Sequence, residues 1–129
     1  IAGVVLSSIL YKKLTGSESF DNLAVLNRDF ILGRNPWGKS FISGIGKNFP
    51  RKIHHQIAFF NNGYIPGAMV SGPVPDSLFK NYSFTIHSDK LSEFSDSSIY
   101  CDEFDNYLTN EPTISSNATA LFIFGYFSK

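Results

Sequence analysis

The chain has 129 residues, 43% hydrophobic and 17% charged, the make-up of one globular domain and not of a disordered segment. Lysine plus arginine balances aspartate plus glutamate, 11 against 11, and without a clustered positive field no nucleic-acid interface is expected. One cysteine, Cys101, excludes an internal disulfide, and no run reaches the roughly 20 apolar residues that a membrane-spanning helix needs.

Residues 2–14, "AGVVLSSILYKKL", read as an apolar helix, with Gly16 placed for a left-handed C-terminal cap. The first ten residues faintly resemble a signal-peptide core. They lack a preceding positive region and an initiating methionine, and are read as the inside of a helix in a fragment of something longer. Residues 19–33 read as a second helix, capped by Ser19 or Asp21, with Leu23, Val25, Leu26, Phe30 and Leu32 forming a wide apolar face. Gly33 and Pro36 end it. Over 34–116 the periodicity dissolves among recurring glycines and prolines, and a compact domain rarely carries so long a loop without a function for it. Residues 80–95 are polar and serine-rich and are expected on the surface. Residues 117–127 read as a closing apolar helix with Asn117 as its N-cap. The fold class is all-α, in one domain over 1–129. Three helices bury their apolar faces poorly, so the rest of the scaffold is expected from elsewhere in a longer chain or from a partner.

Three stretches of the loop region carry candidate chemistry. "SFISGIGKNFPRKIHH", residues 40–55, ends in His54 and His55. Adjacent histidines point apart, and no HExxH or Cys/His cluster accompanies them, so no metal is expected. "GIGK" lacks the spacing of a phosphate loop. A histidine bonding a polar ligand and a histidine holding loop backbone both fit. "GYIPGAMVSGP", residues 63–73, says by itself only that a loop is ordered. The third stretch carries Asp102, Asp105 and Glu111, with Pro112 stiffening the turn after Glu111. Glycoside hydrolysis needs one carboxylic acid to protonate the leaving oxygen and a second carboxylate to activate water or attack. Solvated loop charges fit these residues equally well, and the residues alone leave both readings open.

Smaller features have plain readings. Trp37 is an anchor for its loop or a surface for a sugar, and Cys101 is a packing residue. Asn81 and Asn117 stand in glycosylation sequons, the second discounted because it would sit against the acidic loop. His55 and His87 have no motif support.

In order, the three stretches resemble glycoside hydrolase family nine, the (α/α)6-barrel cellulases. That family shows "S-x-hydrophobic-S/T-x-x-G-x-N/K/R" followed by "H-x-R", and Ser40, Ile42, Ser43, Gly46, Asn48, Ile53 and His54 fit. It also shows an aromatic and aspartate, a second aromatic, "E-x-S/T/A" and "N-A", matched by Tyr100, Asp102, Tyr107, Glu111, Thr113, Asn117 and Ala118. "PGAMVSGP" looks like the family's "PGALVGGP" between them.

The resemblance implies the C-terminal portion of an (α/α)6 barrel that hydrolyses β-1,4-glycosidic bonds in a cellulose-type β-glucan with inversion. Glu111 would be the general acid, Asp102 a supporting carboxylate of the same loop, and His54 a contact to sugar hydroxyls. Gln56, Tyr107 and Ser116 would stand in the substrate-binding positions. The catalytic base belongs to an N-terminal "D-x-G-D" segment that does not occur here, so this chain alone should be inactive and needs the remainder of the catalytic domain. No cofactor is implied, and an extracellular polysaccharide target is.

Two positions depart from the pattern. Gln56 replaces the arginine two residues after the histidine, and a forked, charged donor to sugar hydroxyls is lost with it. Ser116 replaces a tyrosine often found before "N-A". They motivate two alternatives: a degenerate member that binds carbohydrate without cleaving it, and an enzyme for an amino-sugar polymer. An unrelated helical interaction module is the third, and it expects His54 and Glu111 on opposite faces.

Overall fold

The computed structural model describes residues 1–82 and 98–128. It is mostly helical, as expected, with three long helices: α1 (Ala2–Thr15), α2 (Asp21–Ile31) and α6 (Ile114–Phe127). The loop region is less bare than its sequence suggests. It holds three one-turn helices, α3 (Gln56–Phe60), α4 (Asp76–Phe79) and α5 (Tyr107–Asn110). Two dipeptide strands, β1 (Val74–Pro75) and β2 (Ser98–Ile99), pair antiparallel with Val74 opposite Ile99, a small departure from an all-α chain. His87 and most of the serine-rich stretch lie outside the described residues.

The helix ends separate sound expectations from unsound ones. Gly16 is left-handed at φ 73° and its N–H closes α1 on the Lys12 carbonyl, as a glycine cap should. The second helix starts later than expected: Phe20 holds the N-cap position with no side-chain cap, and Asp21 is the first helical residue. Asp21 binds Lys12 instead, and Lys12 also reaches Glu18 at 2.9 Å, so these carboxylates tie α2 to α1. The closing helix starts earlier than expected. Its N-cap is Thr113, whose hydroxyl accepts from the Ser116 N–H at 3.3 Å, and Asn117 lies inside the first turns.

Two cores result. Val5 and Ile9 of α1, Ala24 and Ile31 of α2, and Ala120 and Ile123 of α6 pack together and take in Ile42 and Met69 from the loops. The second core lies under the loop region and joins Phe41, Ile53, Ala58, Ala68, Val70 and Tyr100. Phe30, Trp37, Phe41 and Tyr100 run through it ring against ring at centroid separations of 5.1–6.4 Å. Trp37 is thus an anchor for its loop. Loops pinned by their own aromatic core are held firmly enough to position side chains.

The helices leave apolar surface uncovered. Leu14, Ile114 and Leu121 are 85%, 91% and 80% exposed. Helices with one buried side and a second apolar side open expect another layer. Among the described residues no helix is long and apolar enough to cross a membrane.

Gly63 fixes the exit of α3. Its φ is +83°, and a Cβ there would fall 1.8 Å from the Arg51 carbonyl oxygen. Its N–H closes on the Ala58 carbonyl at 2.7 Å and its own carbonyl accepts from Ile53. Gly63→Ala is expected to lower stability by about 3 kcal/mol, adding left-handed strain to the displacement of fixed backbone, and a thermal melt measures it.

Candidate active site

Asp102 sits at the centre of the loop region with its side chain almost covered. Its carboxylate accepts the Arg51 N–H at 2.9 Å, the Lys52 N–H at 3.0 Å and the Asn110 side-chain amide at 3.1 Å. The Lys39 ammonium, itself buried, lies 3.3 Å away and also over the Tyr100 ring. A carboxylate so surrounded clamps one chain segment to another. Glu103 repeats the link outside, holding the Lys52 ammonium at 2.8 Å and pushing its pKa up. Residues 51–52 and 102–103 are thereby zipped together, and the zip sets the histidine loop against the carboxylate turn.

Asn110 completes the join. It is fully buried. Its amide oxygen accepts from the Tyr100 hydroxyl at 2.8 Å, its amide nitrogen reaches the Lys52 carbonyl, and its backbone carbonyl accepts from the His54 N–H at 3.0 Å. His54 and Glu111 are therefore one residue apart across a hydrogen bond, and the helical-module reading, which needs them on opposite faces, fails.

His54 is half-buried. Its Nδ1 faces the Phe104 carbonyl and its ring meets Tyr107 edge-on at 6.0 Å. A carbonyl only accepts, so Nδ1 carries the proton and Nε2 is the nitrogen left to meet a ligand. His55 does a different job: its Nδ1 accepts from the Ile57 N–H at 3.1 Å and caps α3. The two histidines share no target. Among the described residues no group of three or more His, Cys, Asp or Glu side chains is placed to hold a metal ion.

Glu111 follows α5 in extended backbone, φ −87° and ψ 128°. Its side chain is exposed, with no hydrogen bond or ion pair among the described residues. Its backbone is held firmly, because the carbonyl accepts both the N–H and the hydroxyl of Ser71, at 3.0 and 2.9 Å. The structure thus brings His54, Asp102, Tyr107 and Glu111 into one neighbourhood. Gln56 opens α3 with its side chain exposed, and Ser116 is occupied in the α6 cap, where its hydroxyl accepts from Thr113 at 2.8 Å.

Asn117 has a use the sequence did not suggest. Its side-chain amide accepts from the Met69 N–H at 2.8 Å and donates to the Met69 carbonyl at 3.0 Å, pinning Met69 to α6. Lys39, Ser71 and Asn110 were also missed. The one signal for Asn110 was its position directly before Glu111.

Cys101 is buried beside Asp102, and Thr109 takes both of its backbone groups, at 2.9 and 3.2 Å. Burial pushes the thiol pKa up, against a smaller downward pull from the Asn106 side chain. Cys101 is expected to resist a thiol reagent in the folded protein at neutral pH and to react at once after denaturation. Fast labelling of the native protein would show that this loop core opens.

A broad groove of about 970 Å³ runs behind the turn, between Pro112 and Thr113 at one end and Leu121 and Phe124 of α6 at the other, with Ile42 and Ile65 in its wall. Its lining is largely apolar, which suits protein side chains better than sugar hydroxyls.

The chain is that of a glycoside hydrolase. The model of glycosyl hydrolase family 9 matches residues 1–124, and the chain belongs to that family. It is 32% identical over 114 residues to a xyloglucan-specific endo-β-1,4-glucanase of Bacteroides ovatus, covering 86% of this chain and 18% of that protein. It is 32% identical over 111 residues to endoglucanase 7 of Arabidopsis thaliana, covering 70% of this chain and 14% of that one. Among solved structures, the family 9 endoglucanase J30 superposes with a TM-score of 0.76 at 27% identity, over 99% of this chain and 23% of that chain. A metagenome-derived family 9 endoglucanase superposes at 0.71 with 29% identity, over 96% of this chain and 21% of that chain. The chain therefore spans about a quarter or less of the length of the relatives it matches.

Proposed function

We propose that this chain is the acid-bearing portion of an (α/α)6-barrel catalytic domain that hydrolyses β-1,4-linked glucan with inversion, Glu111 donating the proton to the leaving oxygen. One observation carries the reading. Glu111 is held through its own carbonyl and through the residue before it, while its carboxyl projects free toward solvent in a chain of the family 9 glycosidases. A solvated loop charge needs no such anchoring, and a proton donor must be aimed at one oxygen.

His54 offers Nε2 to a sugar hydroxyl, and Tyr107, 40% exposed, stands edge-on beside its ring. Asp102 acts through the histidine loop and touches no substrate. The base that activates water lies in another part of the domain, roughly 6.5–9.5 Å from the acid across the bond to be cut, the spacing inversion requires. The apolar groove and the open sides of α1 and α6 receive the other barrel helices. This chain by itself is inactive. A polymeric glucan would be met outside the cell.

The test is product analysis with the full-length protein on soluble β-1,4-glucan, xyloglucan and chito-oligosaccharides, with NMR of the first-formed anomer. Release of α-configured ends from a β-glucan is expected. Retention of the β-anomer would sink the inverting mechanism. A protein that binds a β-glycan and cuts none would favour the degenerate reading that Gln56 motivates, and cleavage of the amino sugar alone would move the substrate class.

A further inference from the structure

We infer that Ser71 is a positioning residue for the general acid, acting through the Glu111 backbone and never touching the sugar. The inference rests on the reading of Glu111 as the acid. In the family pattern that "PGAMVSGP" resembles, a glycine holds this place, so the Ser71 hydroxyl is a feature of this chain and not of the pattern.

The argument is geometric. The direction in which the Glu111 side chain leaves the backbone is that of its Cα–Cβ bond, which follows from the peptide planes on either side. The preceding plane is fixed because the Asn110 carbonyl accepts from His54. The following plane contains the Glu111 carbonyl. A single hydrogen bond to that oxygen would let the plane turn about the bond axis. Two donors on that oxygen restrict the turn, and Ser71 supplies both, N–H at 3.0 Å and Oγ at 2.9 Å. Pro112 restricts the same turn from the other side.

Ser71 is itself well anchored. The Gly72 N–H donates to the Thr109 carbonyl at 2.9 Å, the Val70 N–H to the Phe41 carbonyl at 3.0 Å, and Asn117 grips Met69 on both backbone groups. The hydroxyl therefore links a turn that must point accurately to a segment bound to α6 and the loop core. Ser71 is exposed, so the contribution of its hydroxyl to stability should be slight and its effect on aim should dominate.

The experiment uses the full-length protein and the variants Ser71→Ala, Ser71→Gly and Ser71→Thr, with Glu111→Gln as a reference. Each is assayed on an unactivated β-1,4-glucan and on an aryl β-glycoside whose phenol leaves without protonation. Removing the hydroxyl is expected to lower kcat on the glucan roughly threefold to tenfold, the effect of one neutral hydrogen bond, with KM and melting temperature unchanged. The loss should vanish on the activated glycoside, which does not need the acid, and Ser71→Thr should restore the rate. Equal losses on both substrates, or a fall in melting temperature of the same rank, would reduce Ser71 to a structural residue and overturn the inference. So would unchanged kcat on the glucan in Ser71→Ala while Glu111→Gln is inert. A fully active Glu111→Gln would instead remove the acid reading on which Ser71 depends, so the two failures are separable.

Discussion

Glu111→Gln in the full-length protein should reduce glucan hydrolysis by about two to four orders of magnitude, the span that a positioned general acid contributes. Glutamine keeps the length and the planar end of the side chain but has no proton to give. The fold should be unaffected, because the Glu111 carboxyl has no hydrogen-bond or ion-pair partner among the described residues and only its backbone is anchored. Affinity for a bound oligosaccharide should therefore hold within a few-fold while kcat collapses, and turnover should return with an aryl leaving group. Isothermal titration with cellotetraose beside steady-state rates decides it. A variant that loses binding together with rate would make Glu111 a substrate ligand, and one that keeps its rate would return it to the solvated loop charge that the sequence alone allowed.

How far that residue could be reached from sequence depends on the kind of signal each feature leaves. Gly16 was legible because a left-handed cap strongly favours one residue type. Glu111, Asp102 and His54 were singled out because the spacing of their neighbours matched a pattern, and the structure does bring their segments together. Asn117 was legible as important and misread in role. An asparagine before an apolar run is an ordinary N-cap, and nothing local says that its amide is needed by Met69 instead, 48 positions earlier. Thr113 holds the cap because its backbone is extended, φ −89° and ψ 152°, which lets its hydroxyl turn back to accept from the Ser116 N–H.

Ser71, Asn110 and Lys39 left no periodic trace, since their partners are backbone groups and carboxylates in other segments. The expectation of too little helix to bury itself holds in the exposed Leu14, Ile114 and Leu121. The short helices α3, α4 and α5 escaped notice because one turn is too short to show a period.

The second large effect belongs to Asp102. Asp102→Ala strips the acceptor from the Arg51 and Lys52 N–H groups and from the buried Lys39 ammonium together. Breaking a buried pair by deleting one partner costs about 3–5 kcal/mol, because the remaining charge stays desolvated. Here the loss is directed, since the same carboxylate also bonds the Asn110 amide that joins His54 to the acid turn. Two signs should therefore appear below the melting transition. Activity should fall on activated and unactivated substrates alike, because the histidine loop and the acid lose their common support. Trypsin should cut after Arg51 or Lys52, whose side chains are already exposed and whose backbone is guarded in the wild type by Asp102. Adding Lys39→Met to Asp102→Asn should recover part of the stability by removing the stranded ammonium, and recover little activity, because Arg51 and Lys52 still lack their carboxylate. If trypsin spares residues 51–52 in Asp102→Ala, the loop is held by its aromatic core through Phe41 and Tyr100 instead, and Asp102 would have to act on the reaction more directly than its contacts indicate.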